Sequence, residues 1–239
     1  MAENSGIFTE ALYLIISFNN DLMEIIGLSL YVSISALIIA AVIGLPLGAI
    51  LATRKFSGSK IITILINAFM GMPPVVAGLI VYLMLSRAGP LGLLGLLYTP
   101  SAMIIAQSLL IFPIIAALSR QIIEDMNNEY DELFRSLLVG QSNRIKTLLW
   151  ESRFSLTTVL LAGFGRAIAE VGAVMIVGGN IEHATRTMTT SIQMEISKGN
   201  LELAMALGII LLTISLGINI IMQQVKGRFN ANIEGVRNE

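Results

Sequence analysis

Residues 160–180 read LLAGFGRAIAEVGAVMIVGGN. The stretch is apolar enough to enter a bilayer, yet Arg166 and Glu170 stand in its middle among small Ala and Gly residues. A single charge at the centre of a membrane helix costs about 2.5–3.5 kcal/mol on insertion scales. Residues four apart on a helix face the same way, so these two are expected to pair and to lower each other's cost. Gly163, Gly165, Ala167, Ala169, Gly172 and Ala173 let neighbouring helices approach closely. The pair therefore faces protein or a water-filled path, never lipid. Whether it clips this span to a neighbour or lines a path stays open from the residues alone.

The rest of the chain has the composition that such a segment needs. Of 239 residues, 55% are apolar and 13% charged. Soluble domains carry about twice that charged share. The chain reads as an all-α, polytopic membrane protein. A net charge of −1 gives no field for nucleic acid. With no cysteine and His183 as the one histidine, thiolate and His-cluster metal sites are excluded. The opening MAENSGIF has no basic n-region, so no cleaved signal peptide is expected.

About 20 apolar residues cross a bilayer as a helix. Five stretches qualify: 22–52, 61–85, 101–118, 156–178 and 201–222. The first opens with DLME, where Asp21 is expected to cap and Glu24 to reach back. It is too long to cross upright and must tilt or project. Asn200 is the expected cap of the fifth. Upstream, IFTEALYLIISF (7–18) is too short to span and reads as an interfacial helix.

Lys and Arg set orientation. The segments after spans one, three and five hold Arg54, Lys55, Lys60, then Arg120, Arg135, Arg144, Lys146, Arg153, then Lys226, Arg228, Arg237. The other side holds Arg87, Arg186 and Lys198. This asymmetry predicts an outside N-terminus and a cytoplasmic C-terminus.

Proline removes a backbone donor and kinks or breaks a helix. GLPLG (44–48) is expected to break the inner end of span one, and Pro113 to kink span three. MGMPPVVAG (70–78) puts Pro73 and Pro74 inside span two, with Gly71 and Gly78 beside them. Breaks of this kind survive in a membrane where protein or water satisfies the freed groups, so Gly71, Met72, Pro73 and Pro74 are candidates to line a path.

Between spans three and four lies SRQIIEDMNNEYDELFRSLLVGQSNRIKTLLWESRF (119–154). DELFRSLLV sets Leu133, Phe134, Leu137 and Leu138 at helical spacing, and NRIKTLLWE forms a second helical stretch. Two short helices joined near Gly140 would project from the membrane. Interspersed acids disfavour an anionic lipid surface, so the loop reads as a docking element for a cytoplasmic protein.

A loop of this size, two spans before the C-terminus, resembles the coupling loop of type I ABC importer permeases. Their pattern is Glu-Ala-Ala, three residues, Gly, nine residues, then Ile-x-Leu-Pro. Here Glu132, Leu133 and Phe134 take the first three places, Leu138 the glycine place, and Leu148, Trp150 and Glu151 the last ones. The glycine and proline are missing, and Gly140 is expected to supply the turn. GLPLGAIL, MGMPPVVAGL, GPLGLLG and GFGRAIAEVGAVMIVGGNI followed by TRTMTTSI resemble the oxyanion branch of that family, most like permeases of tungstate importers, with molybdate and sulfate relatives close by.

The resemblance implies one permease domain over 1–239 in a prokaryotic inner membrane. It implies coupling residues Glu132, Leu133, Phe134, Arg135, Leu137, Leu138 and Gly140. Arg166 then helps an oxyanion pass and Glu170 limits how tightly it is held, unless the two are purely structural. No G-x-x-x-x-G-K-[ST] phosphate loop occurs, so the chain is not itself an enzyme and binds no cofactor of its own. ATP and Mg belong to two separate ATP-binding subunits. A second copy of the chain and an external oxyanion-binding protein complete the implied assembly.

Two other classes fit less well. An intramembrane enzyme would need facing acids or a nucleophile and base, and only span four carries a deep acid. A secondary transporter usually shows an internal repeat, and none is evident. His183 reads as a solvated loop residue. Thr185, Thr187, Thr189, Thr190 and Ser191 read as cap or turn formers rather than anion ligands.

Overall fold

The computed structural model describes Ile16, residues 20–54 and 56–237. Apart from Ile16, the expected interfacial helix 7–18 lies outside the described residues, as do Lys55 and the side chains of Lys226, Arg228 and Arg237. All regular structure among the described residues is helical. Helices α1 (Asn20–Thr53), α2 (Ser59–Met70), α3 (Pro74–Leu85), α4 (Pro100–Glu129) and α5 (Asp131–Ser136) come first. They are followed by α6 (Gln141–Glu151), α7 (Arg153–Ile168), α8 (Gly172–Gly178), α9 (Met188–Lys198) and α10 (Leu201–Arg237).

Three single helices, α1, α4 and the Leu201–Ile221 part of α10, are long and apolar enough to cross a membrane. Two bent pairs bring the number to five if each counts as one span: α2 with α3, at 107°, and α7 with α8, at 56°. Span two is broken where Pro73 and Pro74 predict, whereas span four is not the continuous helix expected from its apolar length. Span three is longer than expected, because α4 runs on to Glu129 and supplies the first part of the 119–154 segment.

The described residues divide into two compact units, one over 27–186 and a second made of those up to Ile26 with those from Thr187 onward. In the larger unit, one apolar cluster joins Val32, Ala77, Val81, Met103, Ala173 and Val174. Another joins Ala36, Ala40, Ile111, Ile115, Leu156 and Val159. Burying a Leu or Ile side chain contributes about 1.5–3 kcal/mol.

Pro46 and Pro113 lie inside α1 and α4, which continue through them, so neither ends its helix as a break at GLPLG would require. Gly44 and Gly48 instead mark where α1 crosses α4. A Cβ on Gly48 would stand 2.1 Å from Ser119 Oγ and 2.7 Å from the Ala116 carbonyl oxygen. One turn up, a Cβ on Gly44 would stand 3.0 Å from Ile115 Cγ2.

In the smaller unit, Asn200 caps α10 as expected, accepting from Leu203 N–H at 3.4 Å while its amide donates to Glu195 Oε2 at 3.0 Å. Thr187 caps α9 through a capping box completed by Thr190. Helix α1 starts at Asn20, so Asp21 sits within its first turn, where a carboxylate meets the positive end of the helix dipole.

Candidate translocation site at two helix breaks

The residue before a proline is pushed out of the α region. With Pro73 and Pro74 in series, both Met72 and Pro73 are restricted. Helix α2 stops at Met70, Pro73 is extended (φ −61°, ψ 129°), and Pro74 opens α3 as its first residue, the place that tolerates a missing N–H. The turn is closed by Gly71 N–H to Ala68 O at 3.2 Å and Met72 N–H to Phe69 O at 3.1 Å. Gly71 and Pro73 are exposed, and Met72 and Pro74 half-buried.

The second break has no proline. Helix α7 ends at Ile168 and α8 starts at Gly172, with Glu170 between them. A broken helix leaves carbonyls and N–H groups without partners. Glu170 Oε1 accepts from Ala173 N–H at 3.1 Å, capping α8. The buried Gln107, from the first third of α4, donates Nε2 to the Ala167 carbonyl at 3.0 Å on the α7 side. The other oxygen, Glu170 Oε2, stands 3.6 Å from Arg166 Nη2. That is an ion pair, longer than the roughly 2.7–2.9 Å of a charge-assisted hydrogen bond. Its members differ sharply in exposure: the Arg166 side chain is 39% exposed and that of Glu170 4%. Arg166 and Glu170 do meet, but across a helix end rather than along one helix.

The two breaks are packed together. A Cβ on Gly78 would stand 2.7 Å from Ala173 Cα, and one on Gly172 would stand 3.0 Å from Val75 Cγ2. So α3 and α8 cross on nearly bare backbone just beyond Pro74 and Glu170. The expected path residues thus fall in one neighbourhood. Gln107 was not anticipated. Its signal was a lone amide in the apolar run SAMIIAQSLLIFP.

The 119–154 segment forms a separate knob. Phe134 was expected to face outward as part of the docking surface, but it is buried in its own chain with Ala49, Ile123 and Leu148. Its ring packs against Tyr130, with centroids 5.9 Å apart, and Arg144 lies over it at 5.2 Å. Arg144 also donates to Asn127 Oδ1 at 2.7 Å and to Asp131 Oδ1 at 2.6 Å, while Arg135 reaches Asp131 Oδ2 at 2.8 Å. The hydrogen bond from Arg144 and the charge of Arg135 hold the Asp131 carboxyl below its ordinary value. Gln141 ties the knob to the end of α1 by donating to the Thr53 carbonyl at 3.1 Å.

Leu133, Leu137, Leu138 and Trp150 are the exposed apolar residues of this knob, with Leu138 at 90%. Glu132, Arg135 and Gly140 are exposed as well. The turn expected at Gly140 is made by Leu138, which is left-handed (φ 51°), whereas Gly140 is extended (φ −65°, ψ 150°) and precedes α6. Leu138 occupies the place that is glycine in the coupling-loop pattern, and it adopts a conformation that glycine reaches at no steric cost.

Elsewhere the weaker expectations also have structural outcomes. Thr185 donates to the Gly178 carbonyl and accepts from Ile181 N–H at 2.9 Å, closing the 178–185 turn. His183 is exposed.

The family model described as binding-protein-dependent transport system inner membrane component matches residues 44–230. A probable anion ABC transporter permease protein of Haloferax volcanii is 42% identical over 87% of this chain and 91% of its own length. Tungstate uptake system permease proteins TupB share 41% identity in Peptoclostridium acidaminophilum (92% of this chain, 96% of that protein) and 37% in Campylobacter jejuni (92% of each). The Escherichia coli sulfate transport system permease protein CysT is more distant, at 24% over 84% of this chain and 75% of its length. On the family match and these relatives, the chain belongs to the inner-membrane permease components of binding-protein-dependent ABC transport systems.

Proposed function

We propose that this permease carries a tetrahedral oxyanion of the tungstate type into the cytoplasm, driven by ATP hydrolysed on separate subunits. The observation that carries the reading is the apposition of the two helix breaks, with a partly exposed Arg166 guanidinium held beside them. A cation that keeps donors open can attract a dianion. Glu170 stands at 3.6 Å and keeps that attraction shallow enough for the ion to leave. Glu170 also has a structural part, because its other oxygen caps α8. Likeness to tungstate uptake permeases over nearly the whole chain supports tungstate ahead of molybdate or sulfate.

The chain acts as one permease domain, with its N-terminus outside and its C-terminus in the cytoplasm. It forms a homodimer about a two-fold axis near Pro73 and Pro74. The face of α3 that carries Val75, Val76, Leu79 and Leu83 is exposed in the single chain and is covered by the second copy. Two ATP-binding subunits, which hold ATP and Mg, dock under residues 119–154 on Leu133, Leu137 and Leu138, with Glu132 and Arg135 at the rim. An external binding protein delivers the ion.

The test is uptake of labelled tungstate by the assembled transporter, with molybdate and sulfate as competitors. ATP-dependent uptake, competed best by tungstate, is expected. Uptake that persists without the ATPase partner would overturn the reading. The absence of native cysteine permits clean single-cysteine variants at Met72 or Pro73. These should cross-link between copies in at least one nucleotide state, and failure in every state would remove the two-fold axis from this position.

A further inference from the structure

The turn from α1 to α2 opens a cavity of about 880 Å³ between the ends of those helices and α4. Its lining carries Arg54, Lys60 and Arg120, against one acid, Glu124. Glu124 is already committed, accepting from Arg120 Nη1 at 2.5 Å. No ion pair among the described residues engages Arg54 or Lys60. Arg120 Nε is buried without a hydrogen-bond partner. The lining thus carries two cations outside any ion pair among the described residues, and a guanidinium N–H without a hydrogen bond. Helix α2 starts at its rim after Gly58 (φ 99°), with no side chain capping the first turn.

Apolar side chains share the lining. Ile61 and Ile64 are each 65% exposed, and Phe56 is exposed beside them. They stand on the first turns of a helix that belongs to a membrane-spanning pair. A free anion would be served by the cations alone. An open cavity lined by both cations and exposed isoleucines fits an amphiphile. We infer that this cavity binds the headgroup of an anionic phospholipid, with its phosphate on Arg54 and Lys60 and its first acyl carbons along Ile61 and Ile64. Basic pockets between membrane helices recognise acidic headgroups by this combination.

The experiment uses the full chain in mild detergent and native mass spectrometry. Phosphatidylglycerol and phosphatidylcholine with the same acyl chains are offered at equal concentration. Retention of phosphatidylglycerol over phosphatidylcholine is expected. The R54A/K60A variant should weaken it by about thirtyfold, whereas Arg54→Lys should keep most of it. Neither residue belongs to the helix breaks or to the exposed apolar face of the knob, so uptake in the variant reports separately on the proposed transport function. Equal retention of the two lipids, or retention unchanged in R54A/K60A, would overturn the inference. Displacement of the lipid by equimolar inorganic phosphate or tungstate would also overturn it and make the cavity a free-anion site.

Discussion

Removing Arg166 and removing Glu170 should have unequal consequences, although each breaks the same pair. At 3.6 Å and an effective dielectric constant of about 20, two unit charges attract by ~4–5 kcal/mol. The 39% exposure of Arg166 lets water screen that attraction, which leaves about 2 kcal/mol. Arg166→Ala deletes this coupling and removes the Arg166 charge from beside a 4%-exposed carboxylate; breaking a buried pair in this way typically costs about 3–5 kcal/mol. Glu170 retains the Ala173 N–H bond, so about 2–3 kcal/mol is expected. Glu170→Gln also loses the coupling, but its neutral amide carries no burial penalty for charge and keeps an acceptor for Ala173. The Arg166 left behind can hydrate. The expected cost is below about 1 kcal/mol. Glu170→Ala orphans the Ala173 N–H as well and should cost about 1 kcal/mol more.

The assay is the thermal midpoint of the detergent-solubilised complex, paired with uptake on the same preparations. A chain of this size shifts by about 2–4 °C per kcal/mol. Arg166→Ala should therefore fall by about 5–10 °C and Glu170→Gln by under about 4 °C. The double variant R166A/E170Q removes the buried charge as well and should return to within about 1 kcal/mol of the parent. Equal destabilisation by Arg166→Ala and Glu170→Gln would refute the burial asymmetry on which this reasoning rests. Uptake then separates structure from transport. A double variant that is stable but transports poorly gives Arg166 a part in the path, and full recovery of uptake removes it.

Three further outcomes are expected. Phe134→Ala should unfold the knob at a cost of about 3–5 kcal/mol, whereas Leu137→Asp should leave its amide protection intact and abolish ATPase co-purification; hydrogen exchange and pull-down distinguish them, and an intact knob in Phe134→Ala would contradict its buried packing. Gly78→Leu must drive α3 from Ala173, whose Cα would lie 2.7 Å from the new Cβ, so complex yield should collapse, and normal yield would show that the crossing is not tight. Because the Asp131 carboxyl is held below its ordinary value of 3.8, its contribution to the knob is fully present above that pH and is lost as pH falls below it through the lowered value; the protection of amides 131–151, each rate referred to its intrinsic exchange rate at the same pH, should be flat from neutral pH to about pH 4, and a loss of protection near pH 6 would assign the stability elsewhere.

What the sequence disclosed depended on whether one interaction or several decided the outcome. The apolar stretches were legible because a bilayer imposes a length on any helix that crosses it. Prolines divided into two kinds. Pro46 and Pro113 each remove one hydrogen bond, and packing against the neighbouring helix holds α1 and α4 together through them. Pro73 and Pro74 restrict two successive residues, and no local packing reverses that, so the helix stops. The break at Glu170 has no such local cause. Nothing in Ala-Glu-Val-Gly forbids a helix, and its four-residue spacing from Arg166 suggests one. The break stands because Glu170 caps the new helix and Gln107, sixty residues away in sequence, takes a carbonyl of the old one. That third party is invisible to any reading of residues 160–180 alone.

The knob shows the complementary limit. Leu133, Phe134, Leu137 and Leu138 mark an apolar helix without saying which members turn inward. The choice belongs to Arg144 and Asp131. Arg144 can cover the Phe134 ring while donating to Asp131 and Asn127 only if Phe134 lies beneath it, against Ala49 and Leu148. Leu133 and Leu137 are then left on the outer side, and the left-handed turn at Leu138 projects a third leucine beside them. The polar network that secures the knob to its own chain is therefore also what presents its apolar face to a partner.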